Sequence, residues 1–226
     1  MMMISLKQVL IFGVGLVAAL GLYHFNPKNT NLFWPPNNTN NTDQLISAPN
    51  PKPGYDYFLL ALRLPAAFCN LQTQPRKCNP DPPLPEHQDK FTIHGLWPQL
   101  NNANPPLYCS PAPTMQDNDL KAFEQDLLDY WPDLFSAQSF QSSKGFWLRE
   151  WNKHGTCSSN KFNPQPYLGI TLGLAKQHSK GILDGLIKKG AIKRDGTTLL
   201  GKAAIEKAVK GITGHNPEAI IVQKLL

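Results

Sequence analysis

Two segments of the 226-residue chain set a histidine inside an aromatic, otherwise apolar stretch. The first is Phe91-Thr92-Ile93-His94-Gly95-Leu96-Trp97-Pro98. The second is Phe146-Trp147-Leu148-Arg149-Glu150-Trp151-Asn152-Lys153-His154-Gly155-Thr156-Cys157. On a helix, Glu150, Lys153 and His154 fall at i, i+3 and i+4 and share one face. A carboxyl group, an ammonium and an imidazole then reach one point, and a histidine on a facing strand completes the set. Such a set suits cleavage of an RNA backbone. A neutral imidazole takes the proton of a ribose 2′-OH, and the freed oxygen attacks the adjacent phosphorus. A protonated imidazole gives its proton to the departing 5′-oxygen. The ammonium and a hydrogen-bonded carboxyl group stabilise the charge of the phosphorane. This scheme calls for no metal and no cofactor, because imidazole, with a pKa of about 6.5, serves in either role.

Each segment alone has a plainer reading. A histidine in an apolar strand is ordinarily a satisfied core residue. A Glu-x-x-Lys-His face is ordinarily a solvated helix surface with a local ion pair. A zinc site of HExxH type is absent, since the residue four before His154 is Glu150. Cys157 beside His154 has the makings of a nucleophile, but a disulfide-bonded Cys157 is the competing reading.

The elements that must hold these residues follow from patterning. Tyr57–Leu62 is a short apolar run ahead of Pro65 and reads as a buried strand. Lys90–Trp97 reads as a second strand that Pro98 ends. Leu120, Phe123, Leu127, Leu128 and Trp131 form a helical stripe with Asp117 or Asn118 as N-cap and Pro132 as its stop. Phe146–Cys157 reads as helical. Tyr167–Lys189 reads as two helices split near Ser179–Gly181. Ile205, Ala208, Val209 and Ile212 mark a last helix with Gly214 at its end. Val222 sits in a final apolar run that reads as the start of a strand. Of 21 prolines, 17 precede Thr114, so turns and extended segments belong to the first half and helices to the second. Strands first and helices later indicate an α+β fold.

The ends are built differently. Lys7 precedes an apolar run from Val9 to Tyr23, the layout of a secretory signal. Two readings stay open for residues 1–25: a cleaved signal peptide, or an uncleaved signal-anchor whose residues 9–25 tether the chain to a membrane. Either sends the rest to the secretory lumen, and so to a secreted, vacuolar or endomembrane location. Residues 26–53 are Asn- and Pro-rich and read as a linker. They hold glycosylation sequons at Asn37 and Asn40. Residues 54–226 form the folded domain. After residue 25 no apolar run suits a multi-span membrane protein. Cys69, Cys78, Cys109 and Cys157 behind such a leader read as two disulfides. The net charge is 22 − 16 = +6. Residues 153–226 alone carry 12 − 4 = +8, which permits an anionic partner without selecting one.

Phe91–Pro98 and Glu150–Cys157 resemble the two active-site segments of the ribonuclease T2 family, in order and separation. Tyr55-Asp56-Tyr57-Phe58 and Tyr130-Trp131-Pro132 match as well. The likeness runs from about Tyr55 to the C-terminus, nearest to the plant S-like and S-ribonucleases. It implies an antiparallel sheet flanked by helices, an RNA substrate, 2′,3′-cyclic phosphate products, no action on DNA, and a monomer. By the same resemblance His94 is the proton donor, His154 the proton acceptor, and Glu150 and Lys153 stabilise the pentacovalent phosphate. Trp97 is the aromatic on which a base stacks, and Gln99 a base contact. The implied disulfides are Cys69–Cys78 and Cys109–Cys157. Three departures stand out. Arg149 replaces a common histidine and keeps its charge toward phosphate. Arg63-Leu64-Pro65 replaces Gln-Trp-Pro. Family members continue past the position of Leu226, which leaves C-terminal strands missing by comparison. A catalytically weak relative that binds RNA or a protein, as in self-incompatibility, is the competing function.

Overall fold

A computed structural model of the chain describes residues 17–19, 54–69, 77–80, 83–195, 199–217 and 219–220, the first and last of these as backbone only. The centre is an antiparallel sheet. Strand β2 (Tyr57–Arg63) is the apolar run, and all seven of its residues are buried. On one side it pairs with β3 (Thr92–Gln99). On the other it pairs with β1 (Val17–Ala19), which pairs in turn with β4 (Ala219–Ile220). The strand order is therefore β3-β2-β1-β4. β3 runs through Pro98, which pairs with Phe58, instead of ending at it. β3 is the outer strand of the described sheet, where a missing N–H costs no ladder bond. β1 lies inside the segment read as a leader. The rest of residues 1–53 falls outside the described residues, with Asn37, Asn40 and the linker, and so does Val222. Among the described residues no helix is long and apolar enough to cross a membrane.

The β2–β3 register contains one irregularity. Ala61 pairs with Gly95 and Leu62 with Ile93, so His94 is the extra residue of a bulge. A bulge breaks the alternation of side chains and re-aims the extra one. This is how a histidine leaves a strand whose neighbours Ile93 and Leu96 are fully buried.

Two short helices, α1 (Pro65–Cys69) and α2 (Pro85–Gln88), follow β2 and precede β3. The Leu120–Trp131 stripe is carried by two helices, α3 (Asp117–Lys121) and α4 (Glu124–Tyr130). Phe123 leaves helical geometry between them (φ −124°, ψ 15°). The start lies at Gln116, one residue before the expected cap, and its N–H donates to the Asp119 carboxylate at 2.7 Å. α5 (Phe140–Lys153) begins at the Ser139 cap, six residues earlier than expected, and gives way to a 3-10 turn at Gly155–Ser158.

α6 (Pro164–Lys188) is one continuous helix of 25 residues, with no break near Ser179–Gly181. One of its glycines serves close packing. A Cβ on Gly185 would lie 2.8 Å from the Ile212 side chain of α7 (Lys202–Thr213). Gly214 closes α7 in the left-handed conformation (φ 77°), as expected. The core joins the sheet to α3–α7 through Leu60, Leu62, Leu127, Trp131, Trp147, Trp151, Tyr167 and Leu183. Disulfides Cys69–Cys78 and Cys109–Cys157 are both formed. A helix-rich molecule around one small antiparallel sheet is α+β, as patterning indicated.

Candidate active site

The bulged β3 and the last turn of α5 meet at one cluster. His94 comes from β3, with three-tenths of its side chain exposed. Glu150 comes from α5 and is buried. His154 caps α5, and its backbone N–H donates to the Glu150 carbonyl at 2.9 Å. The Glu150 carboxylate accepts from the Trp97 indole N–H at 3.0 Å. Its other oxygen lies 3.8 Å from His94 Nε2. Trp97 lies flat on His154, with centroids 4.9 Å apart and planes at 24°. It meets His94 edge-on at 5.2 Å.

Trp97 therefore organises the cluster. One ring touches both histidines and the carboxyl group, and only 7% of the residue is exposed. This differs from the base platform expected for it, which needs an open face. Gln99 also departs from expectation. It is buried, and its amide N–H donates to the Trp97 carbonyl at 3.5 Å, so it does not face the cluster. Arg149 sits at the rim, 65% exposed, with its guanidinium 3.9 Å from the buried Asp133 carboxylate. Lys153 occupies the last turn of α5, partly buried.

Electrostatics divide the roles. Burial, then the charge of Lys153, pulls the His154 pKa down to about 3, so this imidazole is neutral at pH 7. His94 is pushed the same way by burial and by the charges of Arg63, His154 and Lys153. Burial raises the Glu150 carboxyl above its ordinary value. The Trp97 hydrogen bond and the charges of Lys153, Arg63 and Arg149 oppose that rise. The result is a neutral imidazole, a carboxyl group with a tightened hold on its proton, and a buried cation, Arg63, with Lys153 and Arg149 nearer the surface. Such a charge balance suits an anion.

Several supporting residues escaped the sequence reading. Gly95 is one. A Cβ there would collide with Glu150 Oε2 and Trp97 Nε1, so the close approach of β3 to α5 requires glycine. Trp131 is another. Its indole N–H donates at 2.9 Å to the carbonyl of the bulged His94. Tyr167 Oη donates to the Leu96 carbonyl at 2.6 Å, which pins the next turn of the same strand. Tyr108 is strained, with φ of 52°, and its N–H donates to the Lys153 carbonyl at 2.8 Å. With the adjacent Cys109–Cys157 bond it ties a loop to the C-terminal end of α5. The positive φ of a non-glycine residue was beyond any sequence signal. Tyr130-Trp131-Pro132 was visible as a motif, though without its purpose.

Residues 55–222 match the family model described as the ribonuclease T2 family. The chain is 30% identical over 154 residues to ribonuclease S-7 of Nicotiana alata, covering 64% of this chain and 65% of that protein, just under two thirds of its length. It is 37% identical over 174 residues to ribonuclease S-2 of Pyrus pyrifolia, covering 76% and 71%. Among solved structures it resembles a point mutant of RNase MC1, a protein from bitter gourd seeds, in complex with 5′-UMP. That likeness has a TM-score of 0.58 and 27% identity, and covers 71% of this chain and 75% of the other. With the matched model spanning most of the chain and the paired histidine segments meeting as one cluster, the protein belongs to the ribonuclease T2 family.

Proposed function

We propose that the protein is an endoribonuclease that cuts single-stranded RNA by metal-independent transesterification through 2′,3′-cyclic phosphates. The observation that carries this reading is the meeting of His94, Glu150 and His154 around the Trp97 ring. His154, neutral because it is buried beside Lys153, accepts the 2′-OH proton. The 2′-oxygen attacks phosphorus, and the 5′-oxygen leaves with a proton from His94. His94 starts with a low affinity for that proton, and the bound phosphodiester raises it by placing an anion beside the ring. Glu150, held by Trp97, bonds to a non-bridging oxygen, and Lys153 and Arg149 offset the charge of the phosphorane. Water then opens the cyclic phosphate with the two histidines in exchanged roles. DNA lacks the nucleophile and is not cut.

The disulfides support an oxidising, lumenal or secreted location. In that setting residues 26–53 serve as a linker glycosylated at Asn37 and Asn40, and the enzyme acts as a monomer. Incubation of the purified protein with RNA and EDTA, at about pH 5 and pH 7, tests the activity. Intact RNA alongside tight RNA binding would favour the non-catalytic relative instead.

A further inference from the structure

Arg63 closes β2 opposite Thr92, beside the bulge that carries His94. Only 3% of it is exposed. Its Nη2 donates to the Pro132 carbonyl at 2.5 Å. The guanidinium carbon stands 5.1 Å from the Phe68 ring centroid and 5.2 Å from that of Phe146. Phe146 stands one turn before Glu150 on α5, and its ring lies 6.3 Å from the His94 ring at 30°. A charge held between two aromatic rings has no room to turn away, and water does not screen it there. Its Nε has no hydrogen bond among the described residues, so no direct contact neutralises that edge of the fork.

The surroundings show what the charge does. Asp133, next to the Pro132 carbonyl that Arg63 holds, is buried. It accepts from the Phe135 N–H at 3.1 Å and the Ser136 hydroxyl at 2.9 Å. Arg149 reaches the same carboxylate from the solvent side. Asp133 thus lies between a buried arginine and the rim arginine. We propose that Arg63 is a positioning residue for the reaction: a fixed internal cation that keeps His94 neutral until phosphate arrives, favours the Glu150 carboxylate, and anchors Asp133 beneath Arg149. Among the described residues, the charged and titratable groups that act on His94 and Glu150 are Arg63 from β2, Arg149, Lys153 and His154 from α5 and its cap, and Tyr167 from α6, while Asp133, from the turn after α4, acts on Arg63 and Arg149. Of the cations among them, Arg63 alone is sealed from solvent and unable to follow the substrate. Burial pulls its own pKa down to about 10, which leaves it charged at neutral pH.

This inference deepens the ribonuclease reading, and its test is arranged to fail separately from it. Arg63→Gln keeps a donor for the Pro132 carbonyl and removes the charge. Arg63→Lys keeps the charge. The His94 ring is titrated by NMR in the full chain without RNA, and the pH profile of kcat/KM is recorded on RNA. In Arg63→Gln the His94 titration is expected to rise by about one pH unit, the low end for a nearby like charge. The alkaline limb of kcat/KM, which needs a protonated donor, moves up with it. Arg63→Lys leaves both where they were. Should Arg63→Gln fail to fold, Arg63→Met, neutral and able to pack between Phe68 and Phe146, carries the same expectation. An unmoved His94 titration in a folded neutral variant overturns the proposal. So does unfolding of both neutral variants, which would make Arg63 a structural residue only. RNA left intact by the wild type would count against the ribonuclease reading and leave the titration readable.

Discussion

Gly95→Ala tests the geometry of the cluster with a single methyl group. The added Cβ would overlap both Glu150 Oε2 and Trp97 Nε1. Both atoms belong to side chains packed in the core, so neither has free space to enter. The Trp97–Glu150 hydrogen bond at 3.0 Å must therefore open. A hydrogen bond to a buried charged group contributes about 1.5–3 kcal/mol, so stability should fall by roughly 2–3 kcal/mol. For a domain of this size that is a Tm lower by about 5–10 °C. The effect on rate is larger, because displaced Glu150 no longer meets the phosphorane. Loss of one such transition-state contact lowers kcat by about 10²–10³-fold. The assay is kcat on RNA, corrected for the folded fraction by a thermal melt of the same sample. Gly185→Ala is the control. Its Cβ meets Ile212 of α7, far along α6, so it lowers Tm and leaves kcat of the folded protein unchanged. In a Glu150→Gln background, Gly95→Ala should add little further loss of kcat, since both act through one group. Wild-type kcat in Gly95→Ala, or full additivity with Glu150→Gln, would refute the placement of Glu150.

Replacing His94 or His154 by alanine should lower kcat by at least about 10²-fold with the fold retained, as read by circular dichroism and single-turnover cleavage; a mild loss removes that residue from proton transfer. His154 also couples stability to pH. Its folded pKa of about 3 lies below the ordinary 6.5, so the fold resists its protonation, and the penalty grows as pH falls below 6.5. Between about pH 6.5 and 5 this amounts to about 2 kcal/mol, which His154→Phe should abolish in urea titrations; an unchanged slope would contradict the burial of His154. Joint replacement of Cys109 and Cys157 by serine opens a closure of 48 residues, worth about 4 kcal/mol in chain entropy. Thermal melts should show that loss, together with a raised KM as the Tyr108–Lys153 junction loosens; melts matching the wild type would show that the bridge is dispensable.

The grouping of Glu150, Lys153 and His154 was legible because helical spacing places the three on one face. The types of β2 and α7 were legible too, β2 as a continuous apolar run buried on both faces and α7 from the helical spacing of Ile205, Ala208 and Val209. Boundaries were less so. The Leu120–Trp131 stripe stays continuous although the backbone breaks at Phe123, because α4 resumes on the same face. Ser179–Gly181 read as a break, but α6 runs through them without one, and it is Gly185, further along, that admits the close approach of α7. The burial of Trp97 and Gln99 was not legible either. Trp97 faces inward onto His154, and Gln99 turns back onto its own strand. The bulge at His94 depends on how β3 registers against β2, and pairing between distant segments leaves no local trace. The place of β1 beside β2 is non-local in the same way, and an apolar leader pattern gives no hint of it.

The most direct measurement uses a DNA oligonucleotide containing a single ribonucleotide, incubated with the protein in EDTA and analysed by mass spectrometry. Cleavage immediately 3′ to that ribonucleotide, leaving a 2′,3′-cyclic phosphate on it and vanishing in His154→Ala, is the expected result. An uncut strand, cleavage at deoxynucleotides, or a product bearing neither the cyclic phosphate nor the 3′-phosphate formed by its opening would contradict the proposed chemistry of His94, Glu150 and His154.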